Sequence, residues 1–346
     1  MKVDATLVTG SADDFVDAAV AAERSGYDAV WLAETQHDPT VGLTLASTRT
    51  ERITLGTAIT VAFARTPMTA AITANDLHAV SGGRYVLGLG TQIKPHVTKR
   101  FSMPWSRPAA RMREYIQAVR AIWATWNDGV PLRFAGEFYT HTLMTPFFSP
   151  PPNPYGAPPI HLAGVGPLMT EVAGEVADGF LAHAFTTERY LHEVTLPALR
   201  RGFETAGRDG SGFEFSGTAL IATGSTEEEF AASVRDVRRQ VAFYGSTPAY
   251  AAVLELHGWG ELAAELNRLS KHAAQDPSRW DAMGELIDDE VLHAIAVVAE
   301  PDEVGPALAR RFGGVAQRIP FYAPTGAELD RWEPARRYLQ DTTGDQ

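Results

Sequence analysis

Glu34 and His37 stand three residues apart in the run Glu34-Thr35-Gln36-His37-Asp38-Pro39. A carboxylate and an imidazole just past an apolar run are the groups that a proton transfer needs. Histidine is the side-chain type suited to exchanging a proton under physiological conditions, and the carboxylate orients it or contacts a cofactor. The same residues also read as a polar loop capping the next helix. A second signal spans Gln92 to Arg113. It holds Lys94, Lys99, Arg100, Arg107, Arg111 and Arg113 and no acid, in a chain of formal net charge -12. That fits an anionic ligand, a phosphate or a carboxylate tail, and equally a solvated loop with an outer helix face. Phe101, Met103 and Trp105 interleave with these charges, as a lid over a planar ring or as core. The third signal is Ala163-Gly164-Val165-Gly166-Pro167, two glycines before a helix start. It leaves bare N–H groups at a helix N-terminus, an anion site or simply a tight turn.

Other chemistries find less support. Gly88-Leu89-Gly90 lacks the third glycine of a dinucleotide fingerprint, and Pro95 spoils the helix that should follow. There is no P-loop, HExxH or GxSxG motif. His96, His141, His161, His183 and His257 are dispersed, so spacing assigns no metal. The chain has no cysteine, which removes disulfides, thiolate metal sites and a cysteine nucleophile.

The elements that must position these groups alternate. Ile53 to Gln92 reads as strand, loop, helix, turn and strand, with polar residues after each strand at Thr57 to Thr60 and Thr91-Gln92. That is a βαβ unit of two parallel strands, whose carboxyl ends are where such sheets bind ligands. Further strands are expected at Val3–Val8, Asp28–Leu32, Pro159–Ala163, Gly179–Ala184, Phe213–Thr223 and Ala316–Tyr322. Helices are expected at Asp13–Ser25, from Val41, from Pro67, and at Ser106–Trp126, Pro167–Ala177 and Thr187–Ala206. Val130–Thr142 reads as a hairpin, Thr145–Pro159 as a Pro-rich linker, and Thr226–Phe312 as a helix-rich insertion. Eight strands at this spacing favour an α/β fold, a closed (β/α)8 TIM-like barrel, over an open doubly wound sheet. No composition break marks a second domain. The expectation is one domain over residues 1–346, with a hairpin and Pro-rich insertion near 130–158 and a helical insertion near 244–300.

The acidic balance argues against nonspecific nucleic-acid binding. The apolar runs, such as Ala294 to Ala299, are too short to span a bilayer, and the start lacks a signal-peptide core. A soluble cytoplasmic protein is expected. Its partner would be a small-molecule substrate, with no nucleic acid and no membrane, and a homodimer is kept open.

The segments DAVWLAETQHDP, LGTAITVAFARTP, SGGRYVLGLGTQ, KRFSMPW, HLAGVGP and VADGFLAHAF together resemble the luciferase-like monooxygenase superfamily, in particular its coenzyme F420 (deazaflavin)-dependent oxidoreductases. The resemblance runs from Asp28 to Phe185 and implies a cofactor in the C-terminal mouth of the barrel and hydride transfer at its ring. The family's second-strand acid–histidine pair falls on Glu34 and Thr35. Histidine is absent from that place, so His37, two residues later, stands in as the general base beside Glu34. The third-strand bulge falls on Gly56 to Thr60, making Ala58, Ile59 and Thr60 cofactor contacts with a non-proline cis peptide at Ala58–Ile59. The fourth-strand polar end falls on Gly90, Thr91 and Gln92, and the phosphate turn on Ala163, Gly164, Val165 and Gly166. Arg100 and His183 complete the cofactor candidates. The sugar-phosphate dehydrogenases of the superfamily carry a glutamate just beyond the fourth strand. That place holds Ile93, which disfavours a sugar phosphate.

The favoured activity is hydride transfer between coenzyme F420 and a small organic substrate, because the basic segment suits a polyanionic tail. The alternatives are a flavin mononucleotide (FMN)-dependent monooxygenase using oxygen and a non-catalytic cofactor-binding protein. Aromatic and aliphatic residues around Phe63–Thr66, near Phe138 and over Tyr244–Trp280 hint at an apolar or alcohol-bearing substrate.

Overall fold

The computed structural model describes residues 1–7, 10–271, 278–322 and 329–342. Eight parallel strands close into a barrel: β1 (Lys2–Leu7), β2 (Ala29–Leu32), β3 (Thr54–Thr57), β4 (Tyr85–Gly90), β5 (Ile160–Gly164), β6 (Gly179–Ala182), β7 (Glu214–Ser216) and β8 (Arg318–Tyr322). Each pairs with the next in sequence. Closure is made by β8 on β1, in register from Lys2 opposite Arg318 to Thr6 opposite Tyr322.

Period-two alternation sorts each strand's residues. Val3, Ala5 and Leu7 of β1, Tyr85, Leu87 and Leu89 of β4, and Ile160 and Leu162 of β5 join the large core between barrel and helices. Trp31, Val86, Leu181, Ala58, Ile59 and Ala163 form a separate small cluster that fills the lumen. Lower in the lumen sits a fully buried ion pair. Arg318 donates from Nε and Nη2 to the two oxygens of Asp4 at 2.7 Å each, and Trp31 Nε1 donates to Asp4 Oδ2 at 2.8 Å.

The helices start where short polar side chains cap them. Ser11 caps α1 (Ala12–Arg24), Asp38 caps α2 (Pro39–Ser47), and Thr66 caps α3 (Pro67–Val80). α4 (Pro108–Asp128), α5 (Pro167–Val176) and α6 (Leu196–Ala206) begin at prolines or after a π turn. The hairpin Phe134–Ala135/Thr140–His141 is fastened to α4. The Glu114 carboxylate accepts the N–H groups of Glu137, Phe138 and Tyr139 at 2.9, 2.7 and 2.6 Å.

Several sequence expectations shift. The single strand over Phe213–Thr223 is two, because the chain leaves the barrel at Gly217. A Cβ there would lie 2.7 Å from Phe312. Its second half, Leu220–Ala222, pairs instead with Ala296–Val298 and lies outside the barrel. The helix over Thr187–Ala206 is broken by a π turn at Leu191–Thr195. The strand expected to run to Ile59 stops at Thr57 and resumes as Thr60–Val61 against Leu89–Gly90. Val8, and residues 272–277 of the expected Tyr244–Trp280 block, lie outside the described residues. A second core joins α7 (Glu227–Gly245), the helices Gly260–Lys271 and Asp289–Ile295, and the outer strand pair to Phe185 and Tyr190 beside β6. α8 (Pro301–Phe312) returns the chain to β8.

Candidate functional site

The carboxyl ends of β2 to β6 make one continuous arc of the barrel mouth, because these strands are neighbours in the sheet. Nearly all candidates sit on it.

At the centre is the bulge after β3. The Ala58–Ile59 peptide is cis, where the resemblance places it. Ala58 N–H donates to Leu32 O at 3.0 Å, and Ile59 O accepts from Glu34 N–H at 3.1 Å, so the bulge hangs from β2. On its other side Thr57 Oγ1 donates to Gly88 O at 2.7 Å and accepts from Gly88 N–H at 2.9 Å. These contacts need bare glycine. A Cβ on Gly88 would sit 1.6 Å from Thr57 O, and one on Gly90 would sit 2.8 Å from Ile59 Cγ1. Ile59 therefore lies across the end of β4, an apolar surface beside open backbone. Thr60 is buried next to it.

Glu34 is drawn into this structure rather than left free. Its Oε2 accepts Val61 N–H at 2.8 Å and Arg65 Nη1 at 2.6 Å, and Arg65 Nη2 reaches Asp38 Oδ2 at 2.7 Å. Burial opposes the Arg65 charge, but the two carboxylates outweigh it and raise its pKa. Burial likewise opposes the Asp38 charge, and the Thr40 N–H and Arg65 overcome it, lowering that carboxyl below its usual value.

His37 is exposed, and its Nε2 lies 3.1 Å from Gly10 O. A carbonyl only accepts, so Nε2 carries the hydrogen and a neutral ring leaves Nδ1 as acceptor. His37 lines a cavity of about 160 Å³ with Ser11, Phe15, Leu32 and Thr35. That lining draws no residue from the bulge, so His37 and Ile59 face different spaces. The helix cap at α2 is Asp38, not His37.

Beyond β4, Thr91 Oγ1 donates to Gln92 O at 2.9 Å, and Gln92 takes the left-handed φ of 59°. Arg100 donates to Thr35 O, pinning this segment across the end of β2. The basic run divides. Arg107 pairs with Glu137 and Arg113 with Glu175. Arg111 is buried over the Phe63 ring and donates to Tyr139 Oη at 2.8 Å. Lys94, Lys99 and Arg100 stay exposed.

Next along the arc, Ala163 to Gly166 lead into α5, whose N-cap Gly166 offers no side-chain cap. The first-turn N–H groups thus lack a local side-chain acceptor. Tyr190 Oη donates to Val165 O at 3.3 Å and fixes the turn.

His183 ends the arc after β6. Phe185 N–H donates to its Nδ1 at 3.0 Å, which puts the hydrogen on Nε2. Its ring meets those of Tyr244 and Tyr250 at 4.7 and 4.8 Å. It keeps some exposed surface, yet this enclosure withdraws water and pushes its pKa down to about 4. At neutral pH it is an uncharged hydrogen-bond donor. Among the described residues, no group of three His, Cys, Asp or Glu could hold a metal, and no helix is long and apolar enough to cross a membrane.

Sequence reasoning missed Arg65, Tyr244 and Tyr250. Arg65 did carry a signal, as the single Lys or Arg between Arg52 and Arg84. The two tyrosines lie in the aromatic block Tyr244–Trp280 read as substrate-facing, but nothing local places them against His183.

Comparison with known proteins follows the same fold. The sequence model of the luciferase-like monooxygenases matches residues 1–318. An uncharacterised protein of Mycobacterium tuberculosis is 55% identical over 303 residues, 88% of each chain. The 5,10-methylenetetrahydromethanopterin reductase of Archaeoglobus fulgidus is 29% identical, over 82% of this chain and 81% of its own. The structure of a coenzyme F420-dependent tetrahydromethanopterin reductase from Methanopyrus kandleri superposes with a TM-score of 0.77 at 19% identity, covering 98% of this chain and 96% of its own.

Proposed function

Because the chain belongs to the luciferase-like monooxygenase family, we propose that it is a coenzyme F420-dependent oxidoreductase acting on a small organic substrate. The observation that carries this reading is the arc itself. Ile59 over Gly90, the uncapped Ala163–Gly166 turn and the neutral His183 donor follow one another along β3 to β6. An apolar backing, bare N–H groups and a neutral donor suit a planar ring with a phosphate behind it. The reductase from Methanopyrus kandleri, described as F420-dependent, is built on this barrel and supports the choice.

When bound, the deazaflavin supplies a ring carbon that gives or takes a hydride. The protein's own contribution is placement and the proton. Ile59, with Ala58 and Thr60, backs the ring, and Gly90, Thr91 and Gln92 border it. Ala163 to Gly166 receive the phosphate through backbone N–H groups. Lys94, Lys99 and Arg100 offer charge to the anionic tail. His183 Nε2–H donates to a ring or substrate oxygen, and Tyr244 and Tyr250 exclude water around it. Glu34 is a positioning residue, since its carboxylate holds Val61 and Arg65. His37, its tautomer set by Gly10 O, lines the neighbouring cavity rather than this surface, so His183 is the imidazole placed toward the ring. Ile93, three residues beyond β4, gives no charge to a sugar phosphate.

Fluorescence-quenching titrations with coenzyme F420 and with FMN at two ionic strengths test the assignment. F420 is expected to bind more tightly, with an affinity that falls as salt rises. Equal or tighter FMN binding would overturn it in favour of an oxygen-using flavin monooxygenase.

A further inference from the structure

A cavity of about 360 Å³ lies outside the barrel, between α8, the strand Ala296–Val298 and the turn Thr187–Arg189. Its lining holds three arginines, Arg189, Arg310 and Arg311, one acid, Glu188, and two histidines, His257 and His293. In a chain of net charge -12 this is a local reversal of sign. The three arginines are not equally committed. Arg189 is neutralised by Glu193 at 3.0 Å and donates to Leu256 O at 2.9 Å. Arg311 spends Nη2 on the carbonyls of Thr186 and Ala294, at 2.7 and 3.1 Å, and its buried Nε has no partner. Carbonyls orient a guanidinium without cancelling its charge. Burial lowers the pKa of Arg311 to about 10, which still leaves it a cation at neutral pH. Arg310 is exposed and has no acidic partner among the described residues.

The rest of the lining is apolar. Ala296, Val298 and Ala307 share the lining with the arginines. The cavity is open to solvent, and its lining is part apolar and part charged.

We propose that this cavity binds a small anion, a phosphate or carboxylate on a short apolar stem. Arg310 and Arg311 pair with the charge, and Ala296, Val298 and Ala307 receive the stem. The cavity's lining shares no residue with the candidates on the β2–β6 arc. Two sources share this chemistry, a free small anion and the anionic tail of a cofactor.

Isothermal titration of inorganic phosphate, and then of glutarate, into the full chain tests the site. Saturable binding is expected. Arg310→Gln should weaken it by about tenfold or more, the scale of a lost charge-assisted hydrogen bond. Arg310→Glu should abolish it, with circular dichroism and melting temperature unchanged. The absence of saturable binding, or affinities unmoved by both substitutions, would overturn the proposal. Repeating the titration with coenzyme F420 present separates the sources. Competition assigns the site to a tail, independent binding assigns it to a free anion, and either upholds it.

Discussion

The Glu34 carboxylate and the Arg65 guanidinium lie 2.6 Å apart, and the same Glu34 oxygen accepts the Val61 N–H at 2.8 Å. One side chain at the end of β2 thus fixes both the backbone after the bulge and the residue leading into α3. The candidate acid is spent on holding the surface next to it.

Removing only the cation should be costly. Arg65→Met leaves the mostly buried Glu34 charge without its partner, and a loss of about 3 kcal/mol in urea denaturation is expected. Glu34→Gln still offers an oxygen to Val61 and should cost less. If Arg65→Met matches the parent in stability, the clamp does not support the bulge. In kinetics, a positioning role for Glu34 predicts that Glu34→Gln raises cofactor Kd before it lowers kcat.

Two glycines on one strand should behave differently. Gly88→Ala drives a methyl group into Thr57 O, with no flexible side chain to yield, so soluble folded protein should be lost. Gly90→Ala meets only Ile59, which can turn. That variant should fold, keep its circular dichroism, and bind cofactor about tenfold more weakly. Unchanged affinity in folded Gly90→Ala would remove Ile59 from the cofactor surface.

His183→Ala should lower kcat by about 10²-fold or more, the scale of a lost general acid or base, while His37→Ala, in the neighbouring cavity, should keep near-full turnover. Near-full turnover in His183→Ala, or a slow His37→Ala, on a true substrate would move the proton to another group.

Stability should fall on mild acidification. Burial pushes both His161 and His183 from 6.5 down to about 4. Their folded forms bind fewer protons than the unfolded chain between these values. The stability they contribute is therefore complete above pH 6.5 and is lost as pH falls toward 4. For the fully buried His161 the shift is worth roughly 3 kcal/mol, and for the partly exposed His183 less. Denaturation at pH 7 and pH 5 measures this. His161→Gln should flatten the difference, and a slope unchanged in that variant would refute it.

The strands could be read from sequence because parallel barrel strands are short, apolar and evenly spaced, as Tyr85–Gly90 and Ile160–Gly164 are. Their ends were harder to place. Phe213–Thr223 looks like one strand, since the break at Gly217 is imposed by Phe312, nearly a hundred positions later, a contact no local pattern records. Ala296–Val298 sits inside a run recognised only as too short for a bilayer. At the site, Gly90 and the Ala163–Gly166 turn were visible, because bare backbone at a strand end has a sequence signature. The basic run was visible as composition, but its division was not. Whether Arg113 meets Glu175 depends on the packing of α4 against α5. The enclosure of His183 by Tyr244 and Tyr250 likewise depends on where an insertion docks.

The buried Asp4–Arg318 pair has a consequence for the order of assembly. Its members are 314 positions apart, so a chain made from its N-terminus holds Asp4 for nearly its whole length before the guanidinium exists. Until then the carboxylate is stable only in water, and burying it against an apolar strand would cost several kcal/mol. The unfinished sheet therefore carries a charge on the wall where a wrong strand would otherwise dock. Only the final strand brings the partner that lets that wall go dry.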